Sequence, residues 1–315
     1  MLDPRTVTVS SDLPAFAESG EVAVKQFNFR ELTVRRFKRH PTAKWALLVL
    51  AIIFVACYGS PIWHLLLPGW FQGLGDFTLA DREQGPSLKH LFGTDEFLGL
   101  DIFSQVLYGG RLSLLIGLGS MVLATAIGVS LGAISGYFGG WLDAVLMRIT
   151  DVFLTVPVLL TIPLASKVFG HADPTTLLII FGLLSWQSIA RIVRSTFLSL
   201  REMQFAEAAR ALGTGPLRTI FRHLLPNAVG PIVVSFTLGV ANNIVLEAFV
   251  SFLGFGLAPP IYSWGSIISN AQGDLINGNW WWITFPGLMI TTTVLCMNFI
   301  GDGFRDALDP KIVEE

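Results

Sequence analysis

The chain has 315 residues, of which 52% are hydrophobic and only 14% charged, with a formal net charge of −2 and a mean hydropathy of +0.61. A soluble globular chain carries about 25% charged residues, and the repeated apolar runs here, each as long as a bilayer is thick, exclude a purely soluble fold. The near-neutral total says nothing about partners; the distribution of charge along the chain does.

Residues 1–44 read as a polar cytoplasmic N-terminal segment without a cleavable leader. The first apolar run begins near Trp45 and is too long for a leader's core, so it reads as a retained anchor span. A span needs about 20 mostly apolar residues, and six stretches qualify: 45–67, 112–135, 144–166, 175–195, 228–250 and 283–303. The second places Gly117, Gly128 and Gly132 among small residues, as a tightly packed interior helix does. The third carries Arg148, Asp151, Pro157 and Pro163, and is kept as a span because the flanking charges then fall on consistent sides.

Orientation follows from lysine and arginine in the loops. Lys25, Arg30, Arg35, Arg36, Lys38, Arg39 and Lys44 precede the first span, and Arg191, Arg194, Arg201, Arg210, Arg218 and Arg222 cluster around the fourth-to-fifth loop. Residues 68–111 are mainly acidic (Asp76, Asp81, Glu83, Asp95, Glu96, Asp101), and 251–282 hold neither Lys nor Arg. The expectation is an all-α, polytopic membrane helix bundle of six transmembrane helices, with N and C termini and the arginine-rich loop cytoplasmic. Residues 45–310 form its membrane domain and 311–315 a short cytoplasmic tail. The polar, Gly-, Pro- and Ser-rich stretch 251–282 is expected to form short helices over the outer mouth.

Residues 201–226 read REMQFAEAARALGTGPLRTIFRHLLP. Phe205 to Leu212 is rich in strong helix formers, Gly213 suits the left-handed residue that stops a helix, and Thr214 or Gly215 caps a second helix with Pro216 in its first turn. Pro226 is expected to end that helix before the fifth span. A DNA-reading helix-turn-helix has similar spacing, but both ends here enter the membrane within a few residues. A plain amphipathic connector remains open, as does a helix that docks into a groove on a soluble partner.

Glu207-Ala208-Ala209, then Gly213, then Leu225-Pro226 resembles the "EAA" loop of bacterial ABC import permeases, which seats in a cytoplasmic ATPase. That family commonly has isoleucine three residues before the proline; His223 stands there, as in many peptide-type members. Further motifs fit in order: Phe92-Gly93-Thr94-Asp95, Gly109 to Leu114, Gly136 to Asp143, Ser251 to Gly256, Pro259-Pro260 with Ser263-Trp264-Gly265, and Gly301 to Pro310. Together they are similar to the second permease subunit of dipeptide, oligopeptide and nickel importers over about residues 35 to 311. One departure falls in the loop facing the cargo side. The family usually reads Gly-Thr-Asp, a short spacer, then Gly-Arg-Asp; here an extra residue intervenes, Leu100 replaces the arginine, and Gln105 replaces another.

The resemblance implies a prokaryotic inner- or plasma-membrane subunit that forms half of a di- or oligopeptide pathway by alternating access. Its implied partners are a homologous second permease, two cytoplasmic ABC ATPases and an extracytoplasmic solute-binding protein, besides the lipid bilayer; nucleic acid is not among them. Nickel or another small solute is the rival cargo, and an ion-coupled secondary transporter is the rival class, although no inverted repeat is visible.

No catalytic set is visible. A phosphate-binding loop needs Gly-Lys followed by Ser or Thr, and none of the six lysines has that context. ATP is therefore expected on partner subunits, with no cofactor in this chain. The five histidines show no metal-ligand spacing, and Cys57 and Cys296 read as buried reduced thiols. Arg148 and Asp151, three apart, can neutralise each other as a structural pair or serve cargo. Asn242, Asn243 and Glu247 on the fifth span either pack helices together or line the pathway, because an intramembrane carboxyl needs a partner or water. Trp280, Trp281 and Trp282 read as an interfacial anchor.

Overall fold

The structure, a computed structural model, describes residues 35–66, 79–168, 173–257, 260–273 and 277–308. Residues 1–34, the tail 311–315, Leu67 at the end of the first expected span, Asp76, His171, Pro259 and Pro310 lie outside the described residues.

Helices follow the apolar runs. α1 (Pro41–Tyr58) breaks at Gly59 before α2 (Ser60–Leu66); α3 (Ile102–Phe138) is followed by α4 (Gly140–Thr155), α5 (Val158–Val168), α6 (Pro174–Leu184) and α7 (Gln187–Leu200). The loop helices α8 (Gln204–Ala211) and α9 (Pro216–Thr219) lead through a π-helical turn, Ile220–Leu224, into α10 (Leu225–Phe252); α11 (Trp264–Asn270) and α12 (Trp281–Leu308) complete the order. Five of these helical stretches are long and apolar enough to cross a membrane, and α4 with α5 makes a sixth, bent by 80°. Among the described residues there is no strand, only an isolated antiparallel bridge between Thr94 and Asp101.

The bend in the third span has a local cause. Val156 is extended (ψ 119°) because it precedes Pro157, whose ring disfavours the helical region for its neighbour. Helix starts are marked by side chains that accept orphan N–H groups. Asp101 accepts from Ser104 N at 2.9 Å, Asp173 from Thr176 N at 2.7 Å, and Ser263 with Ser266 forms a reciprocal capping box. That box supports the expected short helix in the outer segment.

α3 is the central helix, packed against α1, α4, α6, α7, α10 and α11. Its glycines set those distances. A β-carbon at Gly128, Gly132 or Gly136 would meet the carbonyl oxygens of Trp186, Ala190 or Arg194 at 2.7, 2.5 and 2.7 Å. Small residues four apart thus let α3 and α7 approach backbone to backbone. A β-carbon at Gly117 would likewise lie 2.4 Å from Ile244 Cγ1. Large apolar side chains left out of the core, such as Ile52, Val122, Leu160 and Leu164, cover the outside of the bundle, where lipid replaces water.

The two ends differ in charge. At one end Phe37 stacks near Phe304 (4.6 Å), His40 Nε2 donates to Asp306 (3.1 Å), and Gly230 lies against Leu308, alongside the arginine-rich loop. The opposite end carries Asp81, Asp95 and Asp101. By the positive-inside rule the first end is cytoplasmic. Cys57 and Cys296 are free and buried, so engineered thiols stand out. Leu88 and Leu212 are 88% and 85% exposed. In intact cells Leu88→Cys should react with an impermeant maleimide and Leu212→Cys only after permeabilisation; the reverse order inverts the topology.

Candidate coupling loop and transport face

The loop 201–226 is a turned pair of short helices. α8 buries Ala206 and Ala209 and leaves Glu207, Ala208 and Arg210 exposed. It ends in a Schellman arrangement: Gly213 has φ +76°, Gly213 N donates to Arg210 O (2.9 Å) and Thr214 N to Ala209 O (3.1 Å). The Thr214 hydroxyl also donates to Ala209 O (2.6 Å) and meets the Thr219 hydroxyl at 3.1 Å. The turn is therefore fixed by its own hydrogen bonds. Around it Met203, Leu212, Leu217 and Phe221 stand 48%, 85%, 71% and 64% exposed, with Arg210, Arg218 and Arg222 between them. This is an apolar, cation-flanked surface on the arginine-rich loop.

Pro226 does not end the second helix, contrary to expectation. The backbone runs helically from Pro216 to Phe252, with Leu225 N bonded to Ile220 O across the π-helical turn. A proline lacks the N–H that an α-helix would require and crowds the carbonyl four residues back. The wider π register absorbs both defects, so Leu225 and Pro226 open α10 rather than close the loop.

Loop and bundle are clamped together. Arg210 donates to the carbonyl of Arg201 (2.8 Å), and the Arg201 guanidinium donates to the carbonyls of Gly136 and Tyr137 (3.1 and 3.4 Å) at the C-terminus of α3, where a cation is favoured. Two turns earlier on α7, Arg194 forms a two-pronged pair with Asp143 (2.5 and 2.6 Å), which also accepts from Ser135. Motif residues Gly139 and Gly140, both at positive φ, make the reversal that brings Asp143 there. These pairings join residues 51 and 65 apart in the chain, beyond the reach of any local spacing.

Asn243 and Glu247 are packing centres within this chain. Both are 1% exposed. Asn243 donates to the Ser120 hydroxyl (2.9 Å) and accepts from that of Ser185 (3.1 Å), joining α10 to α3 and to the break between α6 and α7. Glu247 accepts from Ser113 (3.1 Å) and Ser251 (2.8 Å), and Ser113 in turn accepts from Trp264 N (3.1 Å), tying in α11. Asn242 is exposed. It lines a cavity of about 480 Å³ with Asn243, Ser185, Gln187 and Leu246, so the polar part of that cavity includes Asn242, the edge of Asn243 and the α6–α7 break.

Two further expectations change, and the departures in the outer loop find their place. Asp151 pairs with Arg191 (2.5 Å), not with Arg148, because the neighbouring α7 brings its guanidinium to the carboxylate. Of the three tryptophans only Trp280 is exposed; Trp282 is 1% exposed, and Trp281 donates to Thr94 O (3.5 Å), so two of them seat the outer loop. Leu100 and Gln105 are 3% and 1% exposed. Asp95 accepts from the backbone N–H groups of Leu98, Gly99 and Leu100 (2.9, 2.9 and 3.2 Å) and from the Gln105 amide (2.7 Å). The departures are thus interior props of the turn, not a surface offered outward. Beneath it His90 lies 3.3 Å from Asp101, whose carboxyl is pushed above its ordinary range by burial. Among the described residues no cluster of His, Cys, Asp or Glu is placed to hold a metal.

Helices that cross a membrane, a glycine-turned loop at the cationic end and a polar inner face define a multi-pass membrane transport component. Residues 128–314 match the family described as "Binding-protein-dependent transport system inner membrane component", and the chain belongs to that family. It is 40% identical over 281 residues to a peptide permease protein of Brucella suis biovar 1, covering 89% of this chain and 90% of the relative. It is 34% identical over 295 residues to the dipeptide transport system permease protein DppC of Bacillus subtilis, covering 94% and 90%. Among solved structures it is similar to a chain of the inward-facing MetNI methionine ABC transporter, with 20% identity, a TM-score of 0.53, and coverage of 65% of this chain and 96% of that one. The latter likeness speaks to fold.

Proposed function

We propose that this chain is one of two permease subunits of an ATP-driven importer of di- or oligopeptides in a prokaryotic inner or plasma membrane. The observation that carries this reading is the exposed loop around Gly213, rigidly turned and bonded through Arg210 and Arg201 to the end of α3. Glu207, Ala208 and Ala209 on α8, Gly213 at the turn, and Leu225 and Pro226 at the head of α10 form the element that couples to a cytoplasmic ATPase. Asn242 lines the pathway together with a second permease; Asn243 and Glu247 hold the helices that shape it. Peptide cargo is supported by the names of the relatives. ATP is bound by the partner subunits, and this chain carries no catalytic step. A solute-binding protein delivers cargo at the acidic end, and nucleotide shifts the inward–outward equilibrium by its differential affinity for the two states.

Reconstituted alone, the chain should neither hydrolyse ATP nor accumulate a labelled dipeptide. Reconstituted with its ATPases, second permease and binding protein it should do both. Uptake by the single chain under a proton or sodium gradient would overturn the proposal.

A further inference from the structure

The motif Gly109 to Leu114 is absorbed by packing except at Arg111. Gly109 lies against the Ser263 backbone, Gly110 against Cys57 and Trp264, Ser113 serves Glu247 and Trp264, and Leu114 is fully buried. Arg111 instead lines a cavity of about 320 Å³ with Tyr58, Tyr108, Tyr262, Leu112 and Leu115. Three of the four tyrosines in the chain converge on this one space. Tyr58 donates to the Arg111 carbonyl (3.3 Å), and none of the ion pairs among the described residues includes Arg111.

Depth and chemistry together define an occupant. Arg111 immediately precedes the apolar run 112–135 of α3, at the acidic outer end of the helix, which places it at the edge of a hydrocarbon layer about 30 Å thick. Tyrosines gather at that level, and a cation there needs an anion. The face below is apolar: Leu115 and Val122, four and eleven residues on, share the side of Arg111 and are 44% and 59% exposed. A carboxylate from a soluble cargo would leave that apolar track uncovered, whereas a lipid tail would fill it. We infer that the cavity binds an anionic phospholipid of the outer leaflet, its phosphate held by the Arg111 guanidinium within the tyrosine-lined wall and one acyl chain lying along Leu115 and Val122.

The test uses the assembled transporter, delipidated in detergent and titrated with phosphatidylglycerol, phosphatidylcholine or glycerol 3-phosphate. Bound lipid is counted by native mass spectrometry, and protection is read as a melting shift. The wild type should retain phosphatidylglycerol that Arg111→Gln loses, with affinity weaker by about tenfold or more, as loss of charge-assisted hydrogen bonds implies. Arg111→Lys should retain part of it. Leu115→Trp fills the tail track while leaving the guanidinium, and should lose the lipid too, which separates lost binding from a folding defect in Arg111→Gln. Equal retention by wild type and both loss variants overturns the inference. So does protection by glycerol 3-phosphate equal to that by lipid, which would make this a soluble-anion site. Loss of the second permease from Arg111→Gln would make Arg111 an intersubunit contact and overturn it as well.

Discussion

Gly213→Asp should insert and fold normally yet lose most transport. A β-carbon at Gly213 meets nothing within 4 Å, so there is no clash; the difficulty is φ +76°, where an L-residue is disfavoured by about 1–2 kcal/mol. The two Schellman hydrogen bonds to Arg210 and Ala209 weaken as the turn relaxes, and α8 and α9 change their mutual angle. Helices buried in lipid do not feel this. The expected signature is normal membrane yield, retained co-purification of the ATPases and dipeptide uptake reduced several-fold with ATP hydrolysis maintained. Glu207→Lys leaves the turn intact and reverses an exposed charge, so it should lower ATPase co-purification instead. Wild-type uptake and assembly in both variants would reduce the loop to a connector.

Gly132→Leu should abolish the assembled bundle. Its β-carbon would lie 2.5 Å from Ala190 O, 2.8 Å from Val193 Cβ and 3.1 Å from Arg194 N. Two of these are backbone atoms, so no side-chain rotation relieves them and α7 must move away from α3. Overpacking of a close interface destabilises by about 1–3 kcal/mol, and here the displaced helix also carries Arg194 and Arg201 away from their partners. Protease resistance and thermal stability in detergent should both fall sharply. Gly287→Leu on α12 is the control, since nothing lies within 4 Å of its β-carbon site; equal stability of the two variants would contradict the close packing of α3 on α7.

What the sequence disclosed and what it withheld divides by the range of the interaction. Gly213 was legible because a helix stop is a local event, and Gly128 and Gly132 were legible because lipid-embedded helices approach only over small residues. The register defect that accommodates Pro226 was not, since proline as a stop and proline after a π-turn look alike in one dimension. The three-residue spacing of Arg148 and Asp151 reveals neighbours on the same helix and is silent about Arg191 on another. Trp281 and Trp282 read as an anchor by composition, although the fold turns them inward onto Gly93 and Phe97. For Asn243 and Glu247 the polar spacing on one face was visible, but the hydroxyls of Ser113, Ser120 and Ser185 that satisfy them came only with the fold. The family resemblance identified the coupling loop; the clamp from Arg201 to α3 is a product of tertiary structure.

The length of α3 gives that clamp mechanical leverage. At 37 residues it is about 56 Å long, well beyond the hydrocarbon layer on both sides, and no proline interrupts it. Its inner tip is gripped by Arg201, and its outer tip is capped by Asp101 against the turn that Asp95 organises. Such a rod transmits tilt instead of absorbing it: a single degree of rotation displaces one tip by about 1 Å relative to the other. A displacement of that size equals the difference between a made and a broken hydrogen bond. A small push at the loop is thus enough, geometrically, to be felt at the Asp95 turn, and the outer cap and the inner clamp behave as two ends of one lever.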